Sequence, residues 1–419
     1  MHSRIIILIL VLLAIDLYVF QGVRFLMHNK SIQVQRWLTI GFWTITILSI
    51  APIVIAQFID WQSWPKILRT ITFSMIVIIY LSKVFVLFFL IIDDIIRLFR
   101  WIGSWIGKQV SSDQSLTAST AISVSRLDFL VKLGFFIGAI PFVSMIYGMI
   151  GGAYDYRVRK VKLKFPSLPD SFNGFRFVQI SDLHTGSFMS TDHLQKAVEL
   201  VMEQKPDAIF VTGDLVNNLH TEAHPFRDIF SSLKAPMGVH SIFGNHDYGD
   251  YYKWDSIEDK IKNFEGLKSF QKEVGWNLLM NEHTFLERNG EKIGLIGVEN
   301  WSSRMNFQKY GDMPTSTKNM QPAAFNILLS HDPSHWEAEV TEKYKYVDLT
   351  LSGHTHGMQF GVDIPGFKWS PVQYVYKQWA DLYRNGSQYL YVNRGLGFLA
   401  YPGRVGILPE ITVFELSKA

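Results

Sequence analysis

The chain has no cysteine among its 419 residues. That excludes disulfides and thiolate metal sites, so any metal must be held by His, Asp, Glu or Asn. Charge of one sign is also scarce. The formal net charge is +3, and Lys and Arg are not gathered as on a nucleic-acid-reading face, so no nucleic-acid partner is expected. Histidine is nearly missing from the first part: of 13, only His2 and His28 precede residue 153. Internal repeats and long low-complexity tracts are lacking. These absences divide the chain into an apolar part, 1 to about 152, and a polar part, 153 to 419.

Four stretches of the first part approach the roughly 20 apolar residues that cross a bilayer: Ile5 to Leu26, Leu38 to Phe58, Ile67 to Ile92 and Phe129 to Ile150. The first is too long for a signal peptide, has no small-x-small cleavage site, and reads as a retained helix. Asp93 to Trp105 alternates charge with bulky apolar groups and is expected to prolong the third helix along the membrane surface. Asp113 to Thr120 reads as a loop. Ionisable residues inside the spans are few, chiefly Asp16 and Lys83, which read as a buried structural pair. A transport pathway needs more than that, so this half reads as an all-α transmembrane anchor of about four helices. Arg157, Arg159, Lys160, Lys162 and Lys164 follow the last span and favour a cytoplasmic second half. The same run also fits the polar face of a first strand.

From Phe175 short apolar strands alternate with amphipathic helices. Strands are expected at 175–180, 208–211, 239–242, 292–298, 325–329, 349–351 and 388–392, with helices at 192–204, 226–233, 257–264 and 267–274. The rhythm is that of a layered α/β domain with buried strands. Five strand ends carry short polar signatures, the place where open α/β sheets build sites. They are Ser181-Asp182-Leu183-His184, Gly213-Asp214, Gly244-Asn245-His246-Asp247, Ser330-His331-Asp332 and Gly353-His354-Thr355-His356. Each piece alone is weak: a strand-end Asp is commonly a helix cap. Five in one order, three of them preceded by Gly, point to a metal centre, since Gly lets a ligand loop turn sharply. Imidazoles with carboxylates suit Mn²⁺, Fe²⁺ or Zn²⁺ better than Mg²⁺ or Ca²⁺. Seven ligands suit two ions sharing a carboxylate. Such a pair, roughly 3.5–4 Å apart, generates hydroxide and clamps both oxygens of a displacement at phosphorus.

This order of motifs resembles the calcineurin-like metallophosphoesterase superfamily. Asn393-Arg394-Gly395-Leu396-Gly397, then Arg404 and Pro409-Glu410-Ile411, resembles its bacterial YkuE-type branch. The resemblance covers about residues 160–418 and implies two sheets sandwiched together and flanked by helices. It implies that Asp182, His184, Asp214 and His356 hold one metal. Asp214 bridges to a second, completed by Asn245, His331 and His354. His246 lies near the leaving oxygen as a proton donor or charge stabiliser, and Asp247 is expected to orient its imidazole. His193, His220, His224, His240, His283 and His335 fall outside the motifs and read mostly as surface or capping residues. Arg394 and Arg404 fit a phosphate clamp or a structural role equally.

The expected function is a membrane-anchored, two-metal phosphohydrolase that cleaves a phosphoester or pyrophosphate with a metal-bridging hydroxide. A lipid-linked substrate is favoured because the anchor concentrates the enzyme in that plane. Certain relatives of the branch resemble diphosphatases of lipid A synthesis. Two other classes compete: a metal- or nucleotide-binding regulatory domain of a membrane sensor or transporter, and a structural membrane component. Oligomeric state is unspecified by the sequence.

Overall fold

The computed structural model describes residues 2–110 and 121–419, in two compact units, Met1–Ile146 and Tyr147–Ala419. The loop expected at Asp113 to Thr120 lies outside the described residues. In the first unit the described residues form α1 (His2–Met27), α2 (Ile32–Ile55) and α3 (Lys66–Val110), together with most of α4 (Ala121–Ile150). All four are long and apolar enough to cross a membrane. The third is one continuous helix of 45 residues, so the amphipathic segment after Ile92 extends it without a break. Val19, Val86, Leu90 and Val131 form a small shared core. Asp16 is fully buried, ion-paired with Lys83 and accepting a hydrogen bond from the Tyr80 hydroxyl at 2.8 Å. In an apolar surround a lone charge is costly, and this pairing is the local solution.

The second unit is an α/β sandwich. Its strands are β1 (Arg157–Phe165), β2 (Phe175–Ile180), β3 (Ala208–Thr212), β4 (Val239–Ile242), β5 (Asn277–Leu278), β6 (Glu282–Arg288) and β7 (Glu291–Gly297). They continue with β8 (Asn326–Leu329), β9 (Leu349–Ser352), β10 (Val362–Ile364), β11 (Phe367–Trp369), β12 (Asp381–Asn385), β13 (Gln388–Val392) and β14 (Glu410–Lys418). One sheet has the order β1-β14-β2-β3-β4-β5 and the other β12-β13-β9-β8-β7-β6; β10 and β11 form a separate hairpin. Strands β2 to β5 run parallel, as do β13, β9, β8 and β7. The basic run after the last span is β1, an edge strand, where charge protects against stray pairing.

Alternating side chains make three apolar layers. Phe175, Phe177, Phe210 and Phe414 of one sheet meet Ile293, Leu295, Ile327, Leu349 and Leu351 of the other. On the first sheet's outer face Val178, Ile180, Ile209 and Val211 pack with α5 (Asp192–Glu203), α6 (Arg227–Ser231) and α7 (Ile257–Glu273). Trp336 and Val340 cover Ile296, Leu328 and Val392 of the second sheet. The two helices expected at 257–264 and 267–274 are one. Gly266, inside it, allows close approach: a Cβ there would lie 2.6 Å from the His220 ring. Both sheets therefore send the C-terminal ends of parallel strands to one edge, and the five polar signatures lie there.

Candidate metal centre

Asp182 and His184 follow β2, Asp214 follows β3, Asn245 follows β4, His331 follows β8, and His354 and His356 follow β9. The structure brings all seven together. Asp182, His184 and His356 form one group whose potential ligand atoms lie within 4.8 Å of one another; Asp214, His331 and His354 form another. The groups touch through Asp214, whose Oδ2 is 3.1 Å from His331 Nε2 and 3.6 Å from His184 Nε2. Asn245 Oδ1 lies 2.9 Å from His354 Nδ1.

The backbone is shaped for this convergence. Asp182, His184, Asp214, His354 and His356 all have φ between 47° and 70°. Non-glycine residues adopt that region at a cost, and observed clusters of them mark functional sites. Of the preceding glycines, Gly213 takes φ 91° and makes the turn, whereas Gly353 serves as space. A Cβ on Gly353 would lie 1.9 Å from Ser181 Oγ and 2.2 Å from Asp182 Oδ2.

Ring partners fix which nitrogen faces inward. His331 Nδ1 is 2.7 Å from the Thr212 carbonyl and donates to it, so Nε2 is the nitrogen turned toward Asp214. That buried nitrogen has no hydrogen-bond partner. His184 Nδ1 donates to Asn217 Oδ1 at 3.0 Å, and its Nε2 faces His356 Nε2 at 3.1 Å. His356 Nε2 lies 3.2 Å from Asp182 Oδ1. His354 is held the other way round: Nε2 meets the Tyr376 hydroxyl at 2.9 Å, and Tyr376 donates to Asp332 Oδ2 at 3.0 Å. This leaves Nδ1 for Asn245's side of the site. Imidazole nitrogens and carboxylate oxygens converging in this way form a donor set that a borderline divalent cation suits.

The electrostatics agree. Burial pulls the His331 imidazole down, but the Asp214 carboxylate outweighs it and raises the group to about 10. Burial opposes the ionised form of Asp214, yet His331 and His246 hold it well below the usual carboxylate range. Asp182 is lowered likewise, against burial, by His356 and His331. Burial depresses His184 to about 3, so it is neutral and available as a ligand. The pocket holds carboxylate charge that calls for cations.

His246 stands beside the groups and in neither of them. Its Nδ1 donates to the Asn217 carbonyl at 2.9 Å, and its ring lies 5.0 Å edge-on from His184 and 4.7 Å from Tyr251. The orienting group is thus Asn217, and Asp247 has other partners. Its carboxylate accepts from the backbone N–H of Asp214, Leu215, Val216 and Gly244 at 2.8–3.2 Å. Burial and the Asp214 charge push Asp247 up to about 8. Four donors from two loops make it the clamp joining the β3 and β4 ends. Tyr251, Tyr376 and Asn217 were not singled out as site residues from the sequence. Only Tyr251, in the aromatic run after Asp247, carried any signal; it accepts from Asn245 Nδ2 at 2.9 Å.

The two arginines are structural. Arg394 is fully buried, with Nη1 2.6 Å from Glu410 and two 2.7 Å bonds to Asp381. Arg404 donates to the Gly397 and Arg394 carbonyls at 2.6 and 2.9 Å. Neither guanidinium is free for phosphate. Arg394→Ala is expected to destabilise the fold by about 3–5 kcal/mol, because it strands buried carboxylates; a lowered thermal midpoint in detergent checks this. Tyr376→Phe is expected to weaken metal affinity about 10–100-fold while the fold persists, because it releases the His354 tautomer; metal titration of the purified protein checks it.

Comparison with known proteins agrees with this geometry. Residues 175–358 match the family described as "Calcineurin-like phosphoesterase", and residues 3–153 match "Probable Calcineurin-like phosphoesterase, transmembrane domain". The chain belongs to the calcineurin-like metallophosphoesterases, in the branch with an N-terminal membrane anchor, and is a phosphoester hydrolase of a family that uses divalent metals. Among its relatives is "Uncharacterized metallophosphoesterase YkuE" of Bacillus subtilis, 32% identical over 64% of this chain and 91% of that one. "Phosphodiesterase YaeI" of Escherichia coli is 30% identical over 59% and 84%. "Transmembrane protein with metallophosphoesterase domain" of Danio rerio is 29% identical over 75% and 68%.

Proposed function

We propose that this multi-pass membrane protein is a two-metal phosphohydrolase acting on a lipid-linked phosphoester or pyrophosphate, with residues 1–152 as anchor and 153–419 as catalytic domain. The observation that carries the two-metal reading is Asp214 Oδ2, placed between His331 and His184 so that one carboxylate serves both ligand groups. Asp182, His184, Asp214 and His356 would hold one cation, and Asp214, Asn245, His331 and His354 would hold the other. Mn²⁺, Fe²⁺ or Zn²⁺ suits this donor set. When bound, such ions would supply positive charge at the transferring phosphorus and would acidify a water there.

The protein's own groups do the rest. His246, fixed through Nδ1 by the Asn217 carbonyl, presents its other nitrogen to the leaving oxygen as proton donor or charge stabiliser. Asp247 positions it indirectly, by locking the loops that carry Asp214 and Asn245. The ligands' left-handed backbone is strained and persists only because the surrounding fold holds it, which supports a site formed before substrate arrives. The bilayer anchor concentrates the enzyme where amphipathic phosphates reside. The basic residues after the last span favour a catalytic domain on the cytoplasmic face of the inner membrane.

The test is hydrolysis by the full chain in detergent with Mn²⁺, using a chromogenic monoester, a chromogenic diester, a nucleotide-sugar pyrophosphate and lipid-linked pyrophosphates. Preferential turnover of a lipid-linked member supports the reading. Faster turnover of every water-soluble member overturns the lipid part of it. Bound metal with no hydrolysis of any member favours a regulatory domain.

A further inference from the structure

The β10–β11 hairpin is amphipathic in the wrong sense for a solvated surface. Its register pairs Val362 with Trp369, Asp363 with Lys368 and Ile364 with Phe367. Successive residues alternate faces, so Val362, Ile364, Phe367 and Trp369 share one face and Asp363 and Lys368 the other. The polar face is turned inward. Asp363 is ion-paired with Arg159 and Arg394, and Lys368 reaches Asp381 Oδ2 at 2.9 Å and the Ala380 carbonyl at 2.6 Å. The apolar face is turned out, with Ile364 57% and Phe367 55% exposed. The turn itself is Pro365-Gly366, with Gly366 at φ 80°, as a Pro-Gly turn requires. Met358, Tyr374 and Val375, nearby in the chain, are also exposed. An antiparallel ribbon in water normally shows the opposite arrangement, and a contiguous apolar patch marks a partner or a membrane.

Its attachment decides between them. Gly361, at the hairpin's base, donates to the Val405 carbonyl at 2.9 Å, and Val405 donates to Gln359 at 2.7 Å. The adjoining Arg404 donates to the carbonyl of Gly148 at 3.1 Å, in the last turn of α4, within a candidate membrane span running to Tyr154. The hairpin thus springs from the segment that grips the end of a membrane helix. On the other side Ser370 Oγ donates to the Gly357 carbonyl at 2.8 Å, next to His356.

We propose that the outward face of this hairpin, with Ile364 and Phe367 at its tip, is a lipid contact that dips into the headgroup boundary of the bilayer beside the metal centre. Apolar and aromatic side chains with an anchored polar side are what such a boundary takes up. The consequence is that an amphipathic phosphate in that plane reaches the His356 loop without leaving the lipid. That consequence rests on the lipid-linked substrate reading; the contact itself does not.

The absence of native cysteine makes the test clean. Full-length I364C, and as a control N289C in the β6–β7 turn, are labelled with an environment-sensitive fluorophore. Each is reconstituted in vesicles of phosphatidylethanolamine and phosphatidylglycerol, with and without a headgroup-proximal doxyl lipid. The expected result is blue-shifted, doxyl-quenched emission at 364 and water-like, unquenched emission at 289. Water-like, unquenched emission at both positions overturns the proposal. So does oxidative cross-linking of I364C into a dimer without quenching, which assigns the face to a second copy. As a second arm, the double variant I364S/F367S is expected to bind metal and cleave a soluble chromogenic diester as wild type does. It is expected to cleave a polyprenyl pyrophosphate in the same vesicles several-fold more slowly. Quenching at 364 in a protein whose wild type ignores the lipid pyrophosphate upholds the contact and overturns only the substrate reading.

Discussion

His246→Ala is expected to retain its metals and to lose turnover by about 10²–10⁴-fold, the range for removing a positioned proton donor. The expectation follows from its place. The imidazole belongs to neither ligand group, and its Nδ1–H is committed to the Asn217 carbonyl. Its backbone N–H also donates to Asp214 Oδ1 at 2.8 Å, a contact that alanine preserves. Metal content by elemental analysis alongside kcat separates the two effects. Unchanged turnover in a metal-replete variant rules out a chemical role for this histidine.

Asp214→Ala is expected to act at the opposite end, removing at least one metal and reducing activity to background. Its Oδ2 faces both His331 and His184, and its other oxygen holds the His246 loop. The variant also leaves the His331 nitrogen without its carboxylate. Loss of metal with a preserved far-ultraviolet spectrum is the expected pair of results. Full metal content with full activity rejects the bridging assignment. Comparing the two variants therefore dissects the centre: one keeps the cations and loses chemistry, the other loses the cations first.

The residues that converge at the sheet ends were legible because each lies in a short local word placed directly after a buried strand. Strand rhythm and motif order suffice to put Asp182, Asp214, Asn245, His331 and His354 at neighbouring sheet ends. What escaped is long-range. Strand β14 inserts between β1 and β2, pairing Arg157 with Glu410 across the whole domain, and no local pattern near Glu410 announces that. The groups that choose each ring nitrogen also come from elsewhere: Asn217 for His184 and His246, Thr212 for His331, Tyr376 for His354. Their chemistry is ordinary, a carbonyl or a phenol, and only the folded geometry gives it a role. Asp247 shows the same limit. Its neighbour in sequence is His246, but its carboxylate meets four backbone donors instead, because two loop ends converge on it. Arg394 and Arg404 resemble phosphate clamps as residue types, yet their burial against carboxylates and carbonyls makes them struts.

The central claim is a paired metal centre that performs phosphoester hydrolysis, and it is tested most directly by counting metal and activity together on the full chain in detergent. Chelation followed by stepwise Mn²⁺ readdition is predicted to abolish turnover of the responsive phosphoester and restore it, saturating as the second equivalent per chain binds. Hydrolysis that persists after complete metal removal, or saturation at a single equivalent, contradicts the account.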